Sequence, residues 1–188
     1  MRTFYDNHPD ILVRMGYPDS STFSQQVIDI KLFGSPLKLE KDNTILLGKE
    51  QYVAILPSNH PLANEVNFKL SMLRDEQFIL TNPSDLRSTV TEMCHEAGFE
   101  PNIVAETQLY SEALSLVESG IGCTIGTTFT WLGHHHFNIA VKVCEDVQRY
   151  RYLYANLNSD IETTDATKIF IDFLKSYSKE ITQSYENA

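Results

Sequence analysis

This sequence is poor in the features that would place it in several common classes. No stretch approaches the roughly 20 apolar residues that a membrane helix needs. The opening "MRTFYDNHPD" has no apolar run, so no secretory signal is expected, and the cytoplasm is the expected compartment. Cysteine is sparse: Cys94, Cys123 and Cys144 are odd in number and form no CxxC pair. They read as reduced thiols, not as a disulfide frame or a zinc site. Basic residues are in deficit, with 15 Lys and Arg against 25 Asp and Glu and a net charge of -10. A chain of that sign repels phosphates, and no helix-turn-helix with a basic face is visible, so no direct nucleic-acid binding is expected.

Catalytic patterns are also missing. "ESG" and "PSD" lack the flanking residues of a nucleophile elbow. Cys94 and His95 are neighbours on one helix and diverge, so they make no Cys-His pair. "HHH" at 134–136 invites a metal, but successive strand residues point to opposite faces, and no carboxylate or cysteine stands at ligand spacing. Neither a catalytic residue, a metal nor a cofactor is expected.

What is present is an α/β alternation over 188 residues, 42% hydrophobic and enough for a core. Residues 10–16, 27–34 and 51–57 read as strands, the last apolar almost throughout, as a strand buried on both faces should be. Residues 76–99 predict a strand at Phe78, Ile79 and Leu80, then a helix capped from Asn82 or Ser84. Its inward face is Leu86, Val90, Met93, Cys94 and Ala97, and Gly98 stops it. Residues 102–106 and 121–126 are further strands around a helix at 111–120. Residues 151–157 read as a buried strand. Residues 164–181 form a last amphipathic helix with Phe170, Phe173, Leu174, Tyr177 and Ile181 on its stripe. Strands alternating with helices predict largely parallel sheets.

Three of the eight glycines fall in "VESGIGCTIG", residues 117–126. They imitate a dinucleotide fingerprint. That loop needs a strand before the glycines and a helix after them. Here the order is helix, glycines, strand. Gly120 therefore reads as a helix stop and Gly122 as a close backbone approach.

In order and wording, the segments resemble the effector-binding domain of LysR-type transcriptional regulators. "QYVAILPSNHPLANEVNFKLSMLRDEQFIL" and "HEAGFEPNIVAETQLYSEALSLVESGIGCTIG" carry the resemblance. "FYDNHPDILVRMG", "IDIKLF" and "IFIDFLKSY" extend it toward both ends. The resemblance implies a two-lobed periplasmic-binding-protein-like (type 2) α/β fold with parallel-rich sheets and two crossing strands, "EQYVAIL" and "YRYLYAN". Lobe one would be residues 1–52 plus 153–188, and lobe two 53–152. A small, anionic metabolite would bind between the lobes, and effector domains would pair as a homodimer. The family's winged helix-turn-helix, linker helix and first lobe-one strand have no counterpart here, so a truncated regulator that does not bind an operator is expected. A transporter's solute-binding protein or a small α/β enzyme is the alternative.

Candidate ligand residues follow. Thr81, Asn82 and Ser84 lie where a strand ends and a helix opens, the place where α/β sheets bind ligands and helix starts attract carboxylates. The same residue types would also serve as plain caps. The resemblance adds Gln108 and Ser111 before the next helix, Tyr17, Phe33 and Gly34 in lobe one, and Thr127 and Thr128 at the pocket's edge, Thr127 standing where a proline is common. Arg87 would face an anion or simply solvent. His60 reads as structural.

Overall fold

The computed structural model describes residues 1–16, 27–81, 84–132 and 137–186; for Ser84, Asp85 and residues 180–186 it describes the backbone alone. The chain divides into two compact units, Met1–Lys49 with Arg151–Ala188, and Glu50–Tyr150. It passes from one to the other within two strands.

In unit one, β1 (Ile30–Ser35) pairs antiparallel with β7 (Tyr150–Leu157), which also flanks β2 (Thr44–Pro57). Phe33 on β1 stacks on Tyr154 at 5.5 Å, and the Tyr154 hydroxyl accepts the Leu39 N–H at 2.7 Å. Helix α4 (Asp165–Glu186) opens on Thr164, whose hydroxyl accepts the Thr167 N–H at 3.1 Å. Its Phe170 and Phe173 rings clasp Phe4 of α1 (Arg2–Asn7), each at 5.1 Å. Phe170, Phe173, Leu174 and Tyr177 of the stripe read from the sequence are half-buried, and Ile171 lies deeper.

Unit two is a three-layer sandwich, and the alternation along its strands explains why. The second half of β2 sends Tyr52, Ala54 and Leu56 to one side and Val53 and Ile55 to the other. On β3 (Gln77–Thr81), Phe78 and Leu80 join the first set and Ile79 the second. Helix α2 (Ser84–Glu96) covers the first face with Val90, Met93 and Cys94. Helix α3 (Tyr110–Glu118) covers the second with Ala113, Leu114 and Val117, together with Trp131. Each of the larger side chains buried here contributes about 1.5–3 kcal/mol.

Strand direction departs from the expectation of parallel-rich sheets. β3 and β4 (Asn102–Thr107) are parallel, and Phe78 forms a parallel bridge with Cys123 just before β5 (Thr124–Thr127). The other described pairings, β1–β7, β2–β5 and β2–β6 (Ile139–Lys142), are antiparallel. Parallel pairing needs a crossover, and the parallel part is where α2 and α3 supply one. The strand expected at residues 10–16 is absent. Leu12 and Met15 are 74% and 68% exposed there, and no described strand lies alongside to pair with them.

The glycines act as the helix–glycine–strand order requires. Gly98 and Gly120 have φ of +86° and +78°, the left-handed geometry of helix stops. A Cβ on Gly122 would lie 2.5 Å from the Gln77 carbonyl oxygen, so β3 and the start of β5 touch through this position.

Candidate functional site

The carboxyl ends of β3 and β4 lie side by side in unit two, with Thr81 paired to Thr107. Both threonines are buried, Thr81 to 6% exposure, and their hydroxyls are 3.3 Å apart. Thr107 has a single proton and donates it to the Leu109 carbonyl at 3.1 Å. Thr81 is therefore the donor in the Thr81–Thr107 pair. That leaves lone pairs on Thr81 to receive a hydroxyl or amine proton.

Helix α2 starts at Ser84, three residues beyond Thr81, and α3 starts at Tyr110, three beyond Thr107. The first N–H groups of any helix lack intrahelical partners and carry a partial positive charge. Just before α3, the chain is held from within the helix. One oxygen of Glu112 accepts the N–H groups of Gln108 and Leu109, each at 3.2 Å. Arg87, one turn into α2, forms a half-exposed ion pair with Glu106.

β5 ends at Thr127, fully buried and paired with Tyr52 of β2. Thr128 continues the ladder: its N–H donates to the Gln51 carbonyl at 3.0 Å, and its hydroxyl accepts the Gln51 N–H at 3.2 Å. Glu50, only 2% exposed, then accepts the N–H groups of Phe129 and Thr130 at 3.1 and 2.8 Å and the Thr130 hydroxyl at 2.9 Å.

The structure thus brings Thr81, Gln108 and Ser111 to neighbouring element ends in unit two, with Thr127 and Thr128 at the end of β5 in the same unit. Ser84 opens α2, and its side chain lies outside the description. Tyr17, Asn82 and His134–His136 fall outside the described residues. Phe33 and Gly34 sit on β1 in unit one; a Cβ on Gly34 would approach the Arg151 side chain at 3.0 Å. Thr107 and Glu50 were not singled out from the sequence. Thr107 carried a usable signal, as the last residue of a strand that precedes a helix. Glu50 carried none, since its partners lie 79 and 80 positions away.

Other titratable groups are occupied structurally. His60 accepts the Leu62 N–H through Nδ1 at 3.1 Å and places Nε2 3.3 Å from Glu76. Burial, with the neighbouring Cys144 and Glu100 charges adding to it, pushes the Cys94 thiol up to about 12. Burial and Asp146 push Cys144 up to about 12, and burial raises Cys123 as well. Thiols held neutral in this way are poor nucleophiles. Among the described residues no group of His, Cys, Asp and Glu could hold a metal ion, and no helix is long and apolar enough to cross a membrane.

Among the described residues the arrangement is a polar, hydroxyl-rich set of strand ends, without a convergent catalytic set. The family described as LysR substrate binding domain matches residues 1–179. The transcriptional regulator ShiR of Corynebacterium glutamicum (strain R) is 34% identical over 108 residues, 56% of this chain and 37% of that protein. The chain spans less than half the length of the curated relatives it matches. The regulatory domain of CcmR from Synechocystis PCC6803, solved in complex with 2-PG, superposes with a TM-score of 0.73 at 20% identity, covering 95% of this chain and 88% of that one. The effector-binding domain of QuiR, solved with shikimate, gives 0.58 at 25% identity, covering 79% and 72%. Such domains have the two-lobed periplasmic-binding-protein-like type 2 fold, and this chain shares it. From residue 1 to residue 179, this chain belongs to the LysR substrate-binding domain family.

Proposed function

We propose that this chain is the ligand-sensing domain of a LysR-type transcriptional regulator and that it binds a small, hydroxylated organic anion. The observation that carries the reading is the Thr81–Thr107 hydroxyl pair at two adjacent parallel strand ends, beside the starts of α2 and α3. Thr81 would receive a ligand hydroxyl, and the N–H groups opening α2 would receive a carboxylate. Gln108, Ser111, Thr127 and Thr128 would line the remainder of this site. Tyr17, Asn82, Ser84, Phe33 and Gly34 are proposed as further contacts. QuiR, whose solved ligand is shikimate, supports the choice of ligand class.

In this reading, residues 1–52 plus 153–188 are one lobe and residues 53–152 the other, and the ligand favours one conformation of the domain by its differential affinity, commonly worth ~1–3 kcal/mol of coupling. The protein acts in the cytoplasm as a homodimer and catalyses no reaction. Ile103 and Val104, exposed on β4, support the pairing of two copies.

Thermal melting with shikimate, 2-PG and a panel of hydroxy acids tests the reading, because a ligand that binds only the folded state raises the melting temperature. One chemical class should shift it. Thr81→Val should then weaken binding by about tenfold or more, the worth of a hydrogen bond lost from a buried polar site. A cooperative melt that no ligand shifts, or a shift unchanged in Thr81→Val, would refute the assignment.

A further inference from the structure

We propose that Glu50 is a positioning residue for the effector site: it holds the turn at residues 128–130 in register with the strand that enters unit two. The inference rests on the ligand-sensing reading given above and deepens it. Glu50 is the first residue of unit two on β2, while Lys49 belongs to unit one. From there the ladder runs in step. Tyr52 pairs with Thr127, Gln51 exchanges two hydrogen bonds with Thr128, and the Glu50 carboxylate takes both N–H groups of Phe129 and Thr130. The carboxylate serves those two amides as a backbone carbonyl would serve one more rung.

The chemistry is an expensive way to cap a turn. An ionised carboxylate at 2% exposure is unfavourable unless several donors converge on it. At least three do, two backbone amides and the Thr130 hydroxyl, and hydrogen bonds to a charged acceptor are the strong ones. A serine or asparagine inside the turn would have satisfied the same amides locally. The acceptor comes instead from a strand 79 positions away, at the residue where the chain changes units. The turn is thereby tied to residues 50–52. Thr127 and Thr128, two of the proposed contacts, sit inside this tied segment.

The chain's one tryptophan reports on this turn. The Trp131 N–H reaches the Thr127 carbonyl at 3.4 Å, and its ring lies 2.6 Å from where a Gly126 Cβ would sit. It also faces Tyr110, the first residue of α3, at 6.0 Å.

The experiment compares the wild-type chain with Glu50→Ala and Glu50→Gln, without ligand, by amide hydrogen exchange and Trp131 emission. Shikimate and 2-PG are then titrated into each. In Glu50→Ala, the Phe129 and Thr130 amides should exchange about tenfold faster or more, as expected when charge-assisted bonds are lost, while the Ile79 and Val117 amides hold their protection. Glu50→Gln keeps an acceptor for the two amides and should recover most of that protection and the wild-type emission. Uniformly faster exchange across unit two would reduce Glu50 to a stability residue and overturn the proposal. Unchanged exchange at Phe129 and Thr130 would overturn it too. So would equal affinity of wild-type and Glu50→Ala chains for a probe that binds. If neither probe binds the wild type, those two ligands are eliminated for the sensing reading, and the exchange comparison still decides the role of Glu50.

Discussion

Replacing Gly122 by alanine tests the reading of the glycine loop as a structural contact. The new Cβ would sit 2.5 Å from the Gln77 oxygen and 3.0 Å from its carbonyl carbon, where ordinary contact starts near 3.4 Å. Backbone must therefore separate by nearly an ångström. The separation falls on two hydrogen bonds that flank the contact, Cys123 N–H to the Gln77 carbonyl at 2.8 Å and Ile79 N–H to the Cys123 carbonyl at 2.9 Å. Overpacking of this kind costs about 1–3 kcal/mol, and weakening the two bonds adds about 0.5–1.5 kcal/mol each. The sum, about 2–6 kcal/mol, is a large part of the ~5–15 kcal/mol that holds a typical domain folded. Gly98→Ala supplies the control. Gly98 has φ of +86° but nothing within 4 Å of its would-be Cβ, so alanine there adds only the left-handed strain of a Cβ against its own backbone, about 1–2 kcal/mol. Urea unfolding of both variants, followed through Trp131, gives the comparison. If Gly122→Ala costs no more than Gly98→Ala, the close-approach argument is wrong.

Three further outcomes follow from the titratable groups and ion pairs. The folded thiols of Cys94 and Cys144 titrate near 12 against an ordinary 9.0, so the stability they confer is complete below pH 9 and lost as pH rises toward 12; a pH series of urea midpoints should fall across that interval and flatten in Cys94→Ala. Burial pushes the Asp146 carboxyl up, but the Leu70 and Ser71 N–H groups, at 2.7 and 3.1 Å, outweigh it and hold the group below its ordinary 3.8. Its contribution is therefore present above about pH 4 and lost in acid, and Asp146→Asn should show a weaker decline of stability there in acid titration. Arg149 joins Glu92 and Glu96 at 3.0 Å each on a solvated face, so Arg149→Gln should cost about 1 kcal/mol or less, and the difference should shrink in high salt.

The parts legible in the sequence were those whose causes are local. The strand–helix unit from Gln77 to Glu96 carries its own alternation, inward face and glycine stop. Gly120 and Gly122 were readable because the order of elements around them contradicted a phosphate loop. Residues 10–16 show the limit: their apolar alternation fits a strand, but a strand also needs a neighbour, and Leu12 and Met15 lack one among the described residues. Sheet direction was misjudged for a related reason. Crossover helices were counted, whereas β1 pairs antiparallel with β7, and β2 with β5 and β6, across long sequence separations. Glu50 and the Thr81–Thr107 pair arise only when distant segments meet, so no window of sequence contains them. Ile171, outside the stripe predicted for α4, is the deeper residue, while Phe170 and Phe173 meet Phe4.

Glu112 carries a consequence for selectivity. By accepting the N–H groups of Gln108 and Leu109, it takes the two amides that lead into α3. An incoming carboxylate there competes with a tethered rival, whose effective concentration is of millimolar order or higher. A dilute metabolite cannot win that contest on charge alone. At those two amides, a ligand that brings a second attachment has the advantage over a simple anion, without any steric barrier.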